Sequence, residues 1–237
     1  MIRNVATTRI VAIGIGFCSF VCWGGVSAAA DLKTILRSFD SVQSSVKTLS
    51  ARFTETTVSV LLKDPLVAEG RFYMTKPDSI RWEYVRPEEM RFVIYQDQYT
   101  GYFPARKSAE KRSIRRWSER IFRFIGLGQA STELEKLYDI RLEEQAEQID
   151  NTYLLVFEPK KRRVRRRIDE VRFWVDKTSF LPQRVEYRSA NGNTRVVEFH
   201  EIVLNPDLAA SMYTVELPDD VVVTKGFGGL PGLGDEE

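Results

Sequence analysis

From Asp31 the apolar residues Leu32, Ile35, Leu36, Phe39, Val42, Val46 and Leu49 recur with Ser, Lys, Gln and Arg between them. This single stripe of period 3.6 predicts an amphipathic helix of four or five turns, with Asp31 as its N-cap. Beyond Gly70 the period falls to two. Phe72 and Met74, then Ile80, Trp82 and Tyr84, then Phe92 and Ile94 alternate with polar or less apolar residues. Turns at Lys76-Pro77-Asp78 and Arg86-Pro87-Glu88 separate these runs, which read as an antiparallel meander. Between about 105 and 145 the pattern is helical again. Trp117, Ile121, Phe124 and Ile125 share a face that Gly126 and Gly128 end, and Thr132 with Glu135 forms a capping box for a short helix. Strand patterning returns at Tyr153, Leu155 and Phe157, at Val171, Phe173 and Val175, at Val185 and Tyr187, and at Val197 and Phe199. It ends near Tyr213 to Leu217 and Val221 to Val223. Asn191-Gly192 is a hairpin turn signal.

The first thirty residues stand apart. Arg3 and Arg9 precede an apolar run from Ile10 to Trp23, and small residues lead to Ala28, Ala29 and Ala30. The run is about fourteen residues long where a membrane span needs about twenty, so a cleaved secretory signal peptide over residues 1–30 is expected. Neither Cys18 after Phe17 nor Cys22 after Val21 sits in an acylation box, so the processed chain would be soluble, free of cysteine and dependent on burial for stability. A domain over residues 31–224 and a glycine-rich tail over 225–237 complete the expected organisation.

Composition narrows the function. The 237 residues are 43% hydrophobic and 29% charged, which excludes disorder as the dominant state. Lys plus Arg is 35 against 33 for Asp plus Glu, and two of the arginines lie in the leader, so wholesale nucleic-acid binding is not expected. His200 is the only histidine and alternates with Phe199 onto the opposite strand face, a solvated position. No C-x-x-C or H-E-x-x-H spacing is present, and Gly126-Leu127-Gly128 lacks the third glycine of a dinucleotide fingerprint. The expectation is no enzyme, no metal and no cofactor. Two basic stretches remain: Lys160, Lys161, Arg162, Arg163, Arg165, Arg166 and Arg167 within eight residues, and Arg106 to Arg123. Either is solvated charge balanced by Glu133 to Asp150, or a docking surface for an acidic partner or anionic headgroups.

The order of local motifs resembles the periplasmic outer-membrane lipoprotein carrier family, the LolA-like proteins. The matching residues are Ala51-Arg52-Phe53-Thr54-Glu55, then Gly70-Arg71-Phe72-Tyr73-Met74-Thr75-Lys76-Pro77, Ile80-Arg81-Trp82-Glu83-Tyr84, Pro87, and Gln98-Tyr99-Thr100-Gly101-Tyr102-Phe103-Pro104. Leu155-Val156-Phe157-Glu158-Pro159, Leu181-Pro182-Gln183-Arg184-Val185, Phe199 and Asn205 continue the series. The resemblance implies a mainly β fold with helices, an incomplete antiparallel β-barrel or strongly curved sheet covered by an α-helical lid around an apolar cavity. It implies a monomeric periplasmic carrier that shields the acyl chains of lipoproteins between an inner-membrane releasing transporter and an outer-membrane acceptor. A carrier or sensor of another lipid or glycolipid is the alternative. Phe53, Phe72, Met74, Trp82, Tyr84, Phe92, Ile94, Phe157 and Phe173 would then meet acyl chains, with Ile121, Phe124 and Ile125 approaching from the lid; otherwise these residues are ordinary core. The resemblance also makes Lys76 a latch to backbone carbonyls of the lid, at a position where the family often has Arg.

Overall fold

The computed structural model describes residues 31–115, 131–143, 149 and 151–226. Asp31–Glu237 is one compact unit, which holds every element described below.

Helix α1 (Leu32–Ser45) follows its predicted stripe, burying Ile35, Leu36, Phe39 and Gln43. The Asp31 carbonyl accepts the amides of Thr34 and Ile35, so Asp31 caps through its backbone and its side chain makes no capping bond. The helix ends before its apolar stripe does. Asn205 clasps its C-terminus, accepting the Lys47 amide at 2.7 Å and donating to the Ser45 carbonyl at 3.3 Å, and the next strand begins at Thr48. Val46 and Leu49 therefore enter the core from the turn and the strand.

Among the described residues twelve strands form one curved, unclosed sheet. They are β1 (Thr48–Val58), β2 (Leu66–Thr75), β3 (Ser79–Arg86), β4 (Met90–Tyr95), β5 (Gln98–Phe103), β6 (Ser108–Ser113), β7 (Tyr138–Glu143), β8 (Thr152–Pro159), β9 (Ile168–Asp176), β10 (Pro182–Ser189), β11 (Thr194–Leu204) and β12 (Val222–Thr224). Their spatial order is β12-β6-β5-β4-β3-β2-β1-β11-β10-β9-β8-β7, so a sequence-local meander on either side is joined by the long-range pair β1·β11. The pairs are antiparallel except β12 with β6. Helices α2 (Ser131–Glu135) and α3 (Arg162–Arg165) are single turns beside β7 and at the β8–β9 connection.

Strand alternation assigns the faces. Ala51, Phe53, Phe72, Met74, Ile80, Trp82, Tyr84, Phe92 and Ile94 point to the inner face, where they are buried. The outer face carries a charge ladder of Arg141, Glu158, Glu170, Arg172, Glu186 and Arg188, in which Arg188 meets Glu170 at 3.0 Å. Leu154, Val156 and Trp174 are buried on that outer face, with the Arg184 guanidinium 4.8 Å above the Trp174 ring.

Three expectations need correction. Within 105–145, expected to be helical, the described residues hold strands β6 and β7 besides α2. In β6 only Ala109 is buried, so pairing with β5 and β12 rather than apolar alternation makes it a strand. In β7 the alternation of Tyr138, Ile140 and Leu142 carries the strand through charged surroundings. The expected capping box is absent, because Thr132 and Glu135 both lie inside α2; Asp40 of α1 instead accepts the Ser131 amide at 2.6 Å and hydroxyl at 2.7 Å. Tyr213 lies in a 3-10 turn (Ala210–Tyr213) rather than a strand: its hydroxyl meets Thr75 Oγ1 at 2.7 Å and its ring stacks on Tyr95 at 6.0 Å, covering the outer face of β2–β4. The predicted lid face of Trp117, Ile121, Phe124 and Ile125 lies outside the described residues.

Candidate binding site on the inner face of the sheet

The register of β1 to β5 brings seven of the predicted residues into one cluster. Phe53, Phe72, Met74, Trp82, Tyr84, Phe92 and Ile94 pack together with Tyr99, Val197 and Ile114. Trp82 is the hub, with ring centroids 4.9 Å from Phe53, 4.9 Å from Phe72 and 6.2 Å from Phe199. Tyr84 meets Phe53 edge-on at 5.1 Å. Such tilted and T-shaped pairs each add about 0.5–1.5 kcal/mol beyond area burial. Gly70 makes this packing possible: a Cβ there would stand 2.5 Å from the Phe53 ring and 2.1 Å from the Glu83 carbonyl oxygen. Phe157 and Phe173 form a separate inner pair, 4.7 Å apart, in the other half of the sheet.

Between the halves lies a small apolar pocket, partly open to solvent, with a cavity volume of about 10 Å3, room for about one water molecule. Leu49, Ala51, Leu181, Pro182, Phe199 and Ile202 line it. A break in the register between β1 and β11, where Glu201 has φ of 50°, turns Ile202 onto the same face as Phe199. That is far below the 300–1,000 Å3 of ordinary small-molecule sites, so in this conformation the aromatic rings fill the inner face themselves.

Lys76, at the end of β2, donates from Nζ to the Gln43 carbonyl in the last turn of α1, while its amide donates to the Lys47 carbonyl at 2.9 Å. An ammonium at a helix C-terminus meets unsatisfied carbonyls and the negative end of the helix dipole. Burial lowers the Lys76 pKa from its ordinary value.

Sequence reasoning missed a polar cluster inside the apolar face. Glu55 is only 6% exposed; its Oε2 accepts the Tyr84 hydroxyl at 2.7 Å and its Oε1 lies 3.3 Å from Arg195 Nε. Burial first, and then the Glu55 carboxylate, push the Tyr84 pKa well up, so that phenol stays protonated and donates. Burial raises the nearby Tyr187 as well. Parity carried the signal: Glu55 shares its face with Ala51 and Phe53, and Arg195 shares its face with Val197 and Phe199. These three groups satisfy one another inside an otherwise apolar face.

His200 is exposed, with Nε2 3.3 Å from Thr54 Oγ1. Lys160, Lys161, Arg162, Arg163, Arg165, Arg166 and Arg167 form an exposed loop around α3, away from the aromatic cluster's residues.

Residues 44–216 match the family described as "Outer membrane lipoprotein carrier protein LolA". No curated protein sequence matches the chain. Among solved structures it is similar to an uncharacterized conserved protein from Thermus thermophilus, at 14% identity over 81% of this chain and 98% of that one, with a TM-score of 0.53. A LolA superfamily protein from Nitrosomonas europaea aligns at 12% identity over 79% and 99%, with a TM-score of 0.41. Mycobacterium tuberculosis lipoprotein LppX aligns at 12% over 75% and 99%, with a TM-score of 0.43. At 14% identity the likeness to the Thermus thermophilus protein is one of fold alone.

Proposed function

The chain belongs to the LolA family of outer membrane lipoprotein carriers, and on that premise we propose that it is a periplasmic carrier of acylated lipoproteins, receiving them from an inner-membrane transporter and passing them to an outer-membrane acceptor. The observation that supports this reading most is the inner face itself. A continuous set of apolar and aromatic side chains lies on a sheet whose two edge strands do not pair with each other among the described residues, beside a helix whose C-terminal end Lys76 and Asn205 hold. Each buried methylene is worth about 0.8 kcal/mol, so a chain of a dozen carbons would lose roughly 10 kcal/mol if carried through water uncovered. Acyl chains would enter beside Phe199 and Ile202 and part α1 from the sheet, with Phe53, Phe72, Trp82 and Tyr84 as their contacts. Lys76 would release Gln43 as the chains enter and recover it when they leave. The Glu55–Tyr84–Arg195 cluster beside these contacts also suits a second reading, a carrier of another lipid or glycolipid.

Calorimetric titration of the Asp31–Glu237 unit tests both. A diacylglyceryl peptide should bind with a negative heat-capacity change, the signature of apolar burial, and the same peptide without acyl chains should not. Preference for a glycolipid or phospholipid over the diacylated peptide would select the second reading. Equal binding of acylated and unacylated peptide would contradict both.

A further inference from the structure

We propose that the rim of the sheet opposite Lys76 is a membrane-docking surface, in which the β1–β2 hairpin enters an anionic bilayer and the β8–β9 loop binds its headgroups. The antiparallel register puts the end of β1, the start of β2, the end of β10, the start of β11, the end of β8 and the start of β9 on one rim. At the hairpin tip Leu61 is 88% and Val60 67% exposed, and Val58, Leu62, Leu66 and Val67 are exposed beside them. A loop tip has no core to cover, and this one ends in Val60-Leu61-Leu62 followed by Lys63, Asp64 and Pro65.

Two hydrogen bonds tie this tip to the basic loop through the intervening β10–β11 hairpin. The Val60 amide donates to Asn193 Oδ1 at 3.1 Å, and the Ala190 amide donates to the Arg167 carbonyl at 3.0 Å. The basic loop places seven cations in eight residues, all exposed. Lys160 pairs with Asp139 at 3.5 Å, whereas Lys161, Arg162, Arg163 and Arg166 have no ion pair among the described residues. The outer-face ladder differs from this loop, with Arg141, Arg172 and Arg188 each meeting a carboxylate. Unpaired cations beside an exposed apolar tip are what an anionic lipid interface accommodates: side chains of the tip leave water while the cations meet headgroups. An acidic protein would complement the loop but would leave the aliphatic tip in water, so the bilayer accounts for both features.

The inference goes beyond the carrier reading and does not depend on it. Its test is co-sedimentation of the Asp31–Glu237 unit, which contains the whole described core, with vesicles of phosphatidylcholine alone or mixed equally with phosphatidylglycerol. The expected result is partitioning onto the mixed vesicles, weakened by salt. Replacing Lys161, Arg162, Arg163 and Arg166 by Gln should lower it by up to about fivefold per cation and remove most of the salt dependence. The triple change Val60→Ser, Leu61→Ser and Leu62→Ser should lower it at least about tenfold while leaving the salt dependence in place. Uptake of the diacylated peptide, measured on the same two variants, should be unchanged, and reports on the carrier reading separately. No partitioning by the wild type, as an acidic protein partner would predict, or partitioning that neither variant alters would overturn the proposal.

Discussion

Trp82 touches Phe53, Phe72 and Phe199, and these partners differ in what their loss should do. Trp82 is 3% exposed at the centre of the cluster, so Trp82→Ala should cost about 3–5 kcal/mol in chemical unfolding. Phe199 is half-buried on the open pocket, and Phe199→Ala should cost only about 1–2 kcal/mol. If Phe199 stands at the entry, its loss should weaken acyl binding more than its small stability cost suggests; unchanged binding would remove it from the path. The identity of the aromatic face was legible in the sequence, because alternation alone separates Phe72, Met74, Trp82 and Tyr84 from their polar neighbours. Its state was not, since whether rings fill a face or line a void depends on their mutual packing. The Glu55–Arg195 pair shows the same limit. Parity puts each residue inside, but only the long-range β1·β11 register brings them within 3.3 Å.

At the scale of elements, α1 is held by Lys76 at its C-terminal end, by Asn205 just beyond it and by Ser131 through Asp40. The latch reading predicts that Lys76→Leu frees the helix end, strengthens retention of a diacylated peptide and slows its transfer to an acceptor. Lys76→Arg should preserve closure through the additional donors of the guanidinium. Equal release by wild type and Lys76→Leu would leave Lys76 a structural cap alone. The motif resemblance pointed to the lysine, while its acceptor came only from the fold, because the Gln43 carbonyl is a backbone group in a different element. The β9–β10 turn gives a test by pH. Burial alone would raise the Asp176 pKa, but the Ser179 amide and hydroxyl, the Thr178 amide and the Asn151 side chain all donate to it and hold it below its ordinary value. A carboxylate whose folded pKa is lowered stabilises fully above its unfolded pKa and loses that contribution as pH falls through the folded value. Asp176→Asn should therefore cost about 1 kcal/mol near neutrality. The difference between the unfolding curves of the two proteins should begin to shrink as pH falls below about 3.8, the usual carboxylate value, and vanish below the lowered folded value.

For the whole molecule, the sheet is a two-sided object whose faces carry different chemistry, and two tryptophans report on them independently. Trp82 belongs to the inner aromatic cluster, whereas Trp174 lies on the outer face under Arg184. The account requires acyl chains to contact the first and not the second. The most direct test is quenching of tryptophan fluorescence by a diacylated peptide with brominated chains, bound to the Asp31–Glu237 unit after Trp117→Phe. One version would keep Trp82 with Trp174→Phe, and the other would keep Trp174 with Trp82→Phe. The account predicts strong quenching of Trp82 at one equivalent of ligand and none of Trp174. Quenching of Trp174 to the same extent, or an unquenched Trp82 with the ligand demonstrably bound, would contradict it.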